Sequence, residues 1–133
     1  MSPSLRKEFR ILFFLYLAGV LFLCFWHFES TPSVTDSILG IPTDKIAHFC
    51  MFVPFPVLAF LAFDKYTEKP LQSFLFVGIT LLAGILLAFF TEWGQSSLTT
   101  WRNGDPWDFV ADVIGITAAS AAVLVRDLSK QKK

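Results

Sequence analysis

Four mostly apolar stretches recur along this chain of 133 residues, and they constrain it more than any other feature. A helix that crosses a bilayer needs about 20 such residues, because each one rises about 1.5 Å through a hydrocarbon core of about 30 Å. The stretches run over about 9–28, 46–63, 71–91 and 107–125. The composition agrees with them. Apolar residues make up 54% and charged residues 17%, and sixteen residues are Phe. A single domain of this length has too little interior to hide so much apolar surface from water. The expectation is one all-α membrane domain over 1–133, a bundle of four transmembrane helices. A soluble enzyme and a nucleic-acid binder are excluded by the same argument. The first stretch has the basic start of a signal peptide, but it is longer than an h-region and no small-residue cleavage site follows it, so it reads as a retained helix.

The spans differ in character. Pro54 and Pro56 lie inside the second and predict a kink. The fourth is rich in small residues (Gly115, Ala118, Ala119, Ser120, Ala121, Ala122), which let membrane helices approach closely. Eleven basic residues balance eleven acidic ones, so the total charge names no partner. Their distribution does name an orientation. Arg6, Lys7, Arg10, Lys65, Lys69, Arg126, Lys130, Lys132 and Lys133 fall in three segments that share one side. Only Lys45 and Arg102 fall on the other. The positive-inside rule then makes both termini cytoplasmic and turns 29–45 and 92–106 outward. Trp26, Trp93, Trp101 and Trp107 all fall at that outer boundary, where amphipathic rings settle. Cys24 and Cys50 lie just beneath it on different spans; a disulfide between them is open in that compartment, and otherwise each reads as a small apolar filler.

Polar residues cost energy in a membrane, and here they gather at the outer boundary. Asp44, Lys45 and His48 open the second span, Glu92 and Gln95 close the third, Arg102 lies in the following loop, and Asp105, Asp108 and Asp112 open the fourth. The i,i+4 and i,i+3 spacings put Asp44 with His48, Glu92 with Gln95 and Asp108 with Asp112 on shared faces. Asp105-Pro106 reads as a helix start, with Asp105 the cap and Asp108 three residues on. Three residues exceed capping. Glu92 lies near a helix C-terminus and Lys45 near an N-terminus, each opposed by the helix dipole, so the two are expected to pair. Asp112 is a turn too deep to cap, and Arg102 is its expected partner. Asp44 is expected to orient His48. His27 has no acidic neighbour and reads as interfacial. Asp44, Glu92, Asp108 and Asp112 outweigh Lys45 and Arg102, which leaves open a proton or a divalent cation held by hard oxygen ligands plus one His; no metal-ligand spacing such as HExxH or CxxC occurs, so the sequence assigns no particular metal or cofactor, and no motif marks Ser96 or Ser97 as a nucleophile.

The ordered set Asp44-Lys45-x-x-His48-Phe49, Glu92-x-x-Gln95, Arg102 and Asp108-x-x-x-Asp112-x-x-Gly115 resembles the VanZ-like family of small bacterial membrane proteins. The resemblance covers about 40–120, with the first span fitting its hydropathy. It implies a multi-pass protein of the bacterial inner membrane, and a link to glycopeptide, specifically teicoplanin, susceptibility. Asp112 departs from the Asn expected there and adds a charge. The resemblance implies a class and a compartment rather than a reaction. The expected function is an outward polar site that binds or modifies a membrane lipid headgroup or a lipid-linked wall precursor. His48, Asp44, Glu92 and Asp112 are the candidate catalytic residues, and Lys45, Gln95, Arg102 and Asp108 the candidate binding residues. A non-catalytic accessory protein, whose cluster only locks helix ends together, is the alternative. A proton-coupled exporter is disfavoured, because the first three spans carry no acidic residue near the midplane.

Overall fold

The computed structural model describes residues 2–26, 37–100 and 104–132. Helix α1 spans Pro3–Phe25, α2 Thr43–Phe52, α3 Pro54–Phe63, α4 Pro70–Leu98 and α5 Pro106–Gln131. Taking α2 and α3 as one stretch, four helical segments are long and apolar enough to cross a membrane: Pro3–Phe25, Thr43–Phe63, Pro70–Leu98 and Pro106–Gln131. Their outward faces carry bare apolar side chains, among them Phe14, Leu15, Ile79, Leu82, Phe90 and Ile114. A water-soluble protein rarely leaves so much apolar surface uncovered.

Proline punctuates the helices where its chemistry allows. Pro3, Pro70 and Pro106 each stand in a first turn, where a missing N–H costs nothing. Pro54 and Pro56 are different. Their rings remove the amides that would bond the carbonyls of Cys50 and Phe52, and the helix breaks at Val53. The phenol of Tyr16 on α1 donates to the Met51 carbonyl beside this break, at 2.7 Å. The expected kink is therefore a division into α2 and α3.

Two apolar clusters tie α1 to the rest. Phe13 packs with Phe55, Ala59 and Ala62 of α3. Val20 and Cys24 pack with Phe52, Ala88 and Ile116 from α2, α4 and α5. No disulfide joins buried Cys24 to exposed Cys50. The small residues of α5 do what their size predicts at Gly115. A Cβ there would stand 2.7 Å from the Phe49 carbonyl oxygen, so only glycine lets α2 and α5 meet this closely. That contact sets His48 opposite Asp112.

The described residues depart from an all-helical reading in one place. Ser37–Ile38 and Ile41–Pro42 form a two-stranded antiparallel hairpin. Leu39 and Gly40 make its turn, both with positive φ (55° and 80°), the backbone a tight hairpin with matching twist requires. This hairpin delivers the chain directly into α2.

The helix ends also sort the charges. At one end Arg6 of α1 bonds Asp64 at 2.6 Å, and Arg10 donates to the Ala62 carbonyl. At the same end buried Asp127 accepts from Ser73, and Gln131 reaches the Thr67 carbonyl. These contacts gather the N-terminus of α1, the turn after α3 and the C-terminus of α5, which are the three basic segments of the sequence. The other end holds the hairpin, the start of α2, the end of α4 and the start of α5.

Candidate functional site

The second end carries a compact polar cluster drawn from three helices. Lys45 and His48 come from α2, Glu92 from α4, and Asp108 and Asp112 from α5, with Asp105 capping α5. His48, Glu92, Asp108 and Asp112 are all buried, Asp112 completely.

Asp105 does cap α5. Its carboxylate accepts from the Trp107 amide at 2.9 Å. Its own backbone N–H, which a capping box would give to Asp108, goes instead to Glu92 Oε2 at 3.0 Å. Gly104 makes this possible. A Cβ there would lie 2.8 Å from the Glu92 carbonyl oxygen, so a glycine is needed for the loop to close onto α4. Asp108, released from capping, turns to α2.

Lys45 is the hub of the cluster. Its ammonium bonds Asp44 at 2.9 Å, Asp108 at 2.5 Å, and Asp105. The Lys45 ammonium, helped by the Trp107 amide, holds the Asp105 carboxyl below the usual carboxylate range. The expected Lys45–Glu92 pair is not formed. Glu92 sits nearly two turns inside α4, which continues to Leu98, and its carboxylate faces His48 and the Asp105 amide. With three carboxylates already on it, Lys45 has little capacity left for an anionic ligand.

His48 also has a different orienting partner from the one its spacing suggested. Asp44 is taken by Lys45. The His48 Nδ1 stands 3.0 Å from Asp112 Oδ1 across the α2–α5 contact, and Nε2 stands 3.5 Å from Asp108 Oδ2. The two ring nitrogens thus face two different carboxylates of α5, which fixes how the imidazole is turned in the site. Glu92 Oε1 lies 3.9 Å from Nδ1 and makes no hydrogen bond. His48, Glu92 and Asp108 each offer one ligand atom within 4.8 Å of the others, and Asp44, Asp105 and Asp108 form a second such group around Lys45.

Two candidates fall elsewhere. Gln95 lies a turn beyond Glu92, and its amide donates to the Cys24 carbonyl at 3.0 Å, so it fastens α4 to the end of α1. Arg102 and His27 lie outside the described residues, as does Trp101. Trp26, Trp93 and Trp107 are exposed at this end, as an interfacial belt requires.

Two apolar grooves flank α2 and end in the cluster. One, of about 640 Å³, runs between α1 and α2 past Tyr16, Gly19, Val20 and Met51, and reaches Asp44 and His48. The other, of about 670 Å³, runs between α2 and α5 past Phe49, Val110 and Ile114, and reaches Lys45. Ligand sites of this kind are mostly apolar with a few convergent polar groups.

The sequence reading missed the polar set at the opposite end. Asp127 accepts from Ser73 at 2.7 Å, and Gln131 donates to Ser73 at 2.7 Å. The i,i+4 spacing of Asp127 and Gln131 was the available signal. This set staples α5 to α4 and the preceding turn. No family model matches the chain, and neither a curated protein nor a solved structure matches it.

Proposed function

We propose that this chain is a bacterial inner-membrane protein, a bundle of four transmembrane helices with both termini cytoplasmic. Its outward polar cluster binds or modifies a cell-envelope component, either a lipid headgroup or a lipid-linked wall precursor. The observation that carries this reading is the groove between α1 and α2, apolar along its length and ending at His48 and Asp44. An amphiphile with a greasy chain and a polar head is the ligand such a surface fits. The Trp residues at the same end support headgroup depth for the cluster. The basic segments gathered at the other end support its cytoplasmic placement. The ordered polar residues that resemble the VanZ-like family agree, and through them a role in glycopeptide susceptibility is part of the proposal.

The accessory reading is favoured by one observation. Lys45 joins α2 to the cap and first turn of α5, as a clamp would. Mass spectrometry of total lipids and lipid-linked precursors separates the two readings. Cells lacking the protein are compared with cells carrying the wild type or His48→Ala. A lipid species that changes with the wild type and not with the variant supports the envelope reading. Identical profiles at equal protein levels support the clamp.

A further inference from the structure

We infer that the hairpin of Ser37–Ile38 and Ile41–Pro42 is an interfacial anchor, whose apolar tip inserts into the lipid leaflet beside the groove between α2 and α5. The inference begins with a residue that does not suit a turn in water. A two-residue hairpin turn with positive φ at both positions favours Asn-Gly. Among residues other than glycine, Asn and Asp adopt such a φ most readily. This chain instead places Leu39 there, at φ 55°, ahead of Gly40. Leu39 is 98% exposed, so packing against the described residues does not account for the exchange. Ile38 and Ile41, on either side of the turn, are exposed as well. From Ser37 to Pro42 the chain carries no charged side chain. Water would wet three large aliphatic side chains on one short turn, whereas a leaflet buries them.

Continuity of the apolar surface identifies the partner as lipid. The hairpin passes directly into α2, at the end where Trp26, Trp93 and Trp107 are exposed. Such rings mark headgroup depth. Ile41 and Pro42 line the same groove as Trp107, Val110 and Ile114 of α5. Those three α5 side chains are exposed, Ile114 nearly two turns further along the helix than Trp107. The surface of the hairpin thus continues, through one groove, into a helix face that a four-span arrangement turns to lipid. Lys45 is the charged residue lining that groove, and its ammonium is turned to Asp44, Asp105 and Asp108. Interfacial elements bury their apolar side about 5–10 Å into the boundary between headgroups and acyl chains, a depth within reach of a two-residue turn. Two consequences follow. The anchor fixes the start of α2, and with it Lys45 and His48, relative to the headgroups. It also makes the groove between α2 and α5 open sideways into the leaflet rather than toward water. The inference rests on the transmembrane reading, and on no ligand or reaction at the polar cluster.

The test uses the full chain in phosphatidylcholine nanodiscs, where both faces of the bilayer meet the buffer. The emission added by Leu39→Trp is read as the difference from the wild type, whose four Trp give the baseline. Leu82→Trp, on an exposed face near the middle of α4, is the control for the spans. The emission added by Leu39→Trp is expected at short wavelength and shielded from aqueous iodide. Lipid brominated near the headgroup end of its chains should quench it more than lipid brominated near the chain ends. Leu82→Trp should show the reverse order of bromine depths. Far-UV circular dichroism identifies any variant that fails to fold, and Ile38→Trp, at a strand position with ordinary backbone, carries the test if Leu39→Trp disturbs the turn. Quenching of the tip by iodide and not by lipid, with Leu82→Trp quenched by lipid, would overturn the anchor and leave the transmembrane reading standing. Protection of the tip from both quenchers would overturn it too, by placing a protein surface such as a second copy over the turn. Failure of brominated lipid to quench Leu82→Trp would refute the transmembrane reading, and the anchor with it.

Discussion

Gly115→Ala tests the geometry on which the whole cluster depends. A Cβ at this position would stand 2.7 Å from the Phe49 carbonyl oxygen of α2. Ordinary carbon–oxygen contacts sit at about 3.3–3.6 Å, so α2 must retreat by roughly 0.6 Å. The obstacle is backbone, which a side-chain rotation cannot clear. The same retreat, applied to the His48–Asp112 contact of 3.0 Å, takes it to about 3.6 Å, beyond a hydrogen bond. Overpacking of this kind costs about 1–3 kcal/mol, offset in part by alanine's better helix propensity, up to about 1 kcal/mol. A net loss of about 1–2 kcal/mol is expected, read by reversible unfolding in mixed micelles. The His48 imidazole nitrogen resonances should shift with it. Gly78→Ala is the control, because a Cβ there meets nothing, and it should be neutral to slightly stabilising. Wild-type stability in Gly115→Ala, with unchanged His48 resonances, would refute the claim that this close approach builds the site.

Three further outcomes follow from the same contacts. Lys45→Met keeps the apolar stem but removes the hub of three carboxylates. Losing one member of a fully buried pair costs about 3–5 kcal/mol, and because Asp44 and Asp105 are partly exposed the unfolding measurement should show nearer about 2 kcal/mol. Tyr16→Phe removes the bond to the Met51 carbonyl and should cost about 1 kcal/mol in the same assay. The depressed Asp105 carboxyl gives a pH dependence of known sign. Its contribution is complete above the ordinary carboxylate value of about 3.9 and is lost as pH falls through the lower folded value. Acid unfolding of Asp105→Asn should therefore lack that segment of the curve, and a curve superimposable on the wild type would contradict the pairing.

The apolar runs and prolines made the helices legible, and the Asp105-Pro106 cap and the division at Pro54 follow from single residues. Helix ends were less so, because Glu92 and Gln95 lie inside α4 rather than at its close. Partner choice was illegible for a definite reason. Shared helix faces pointed to Asp44 for His48, and dipoles pointed to Glu92 for Lys45. The inter-helix contacts chose Asp112 and the Asp105–Asp108 pair instead, because Gly115 and Gly104 admit approaches that periodicity does not encode. The hairpin escaped for a similar reason, since Leu39 at positive φ carries no turn signature. Asp127 lies beyond the apolar run that ends at about 125, so only the continuation of α5 to Gln131 brings it against α4.

Native mass spectrometry of the protein released from its own membranes tests the central claim most directly. The account predicts one retained lipid or lipid-linked adduct on the wild type. Folded His48→Ala should lose it, and so should Gly19→Leu, which fills the groove between α1 and α2. The same adduct in equal amount on all three proteins would contradict a ligand seated in that groove with its head at His48.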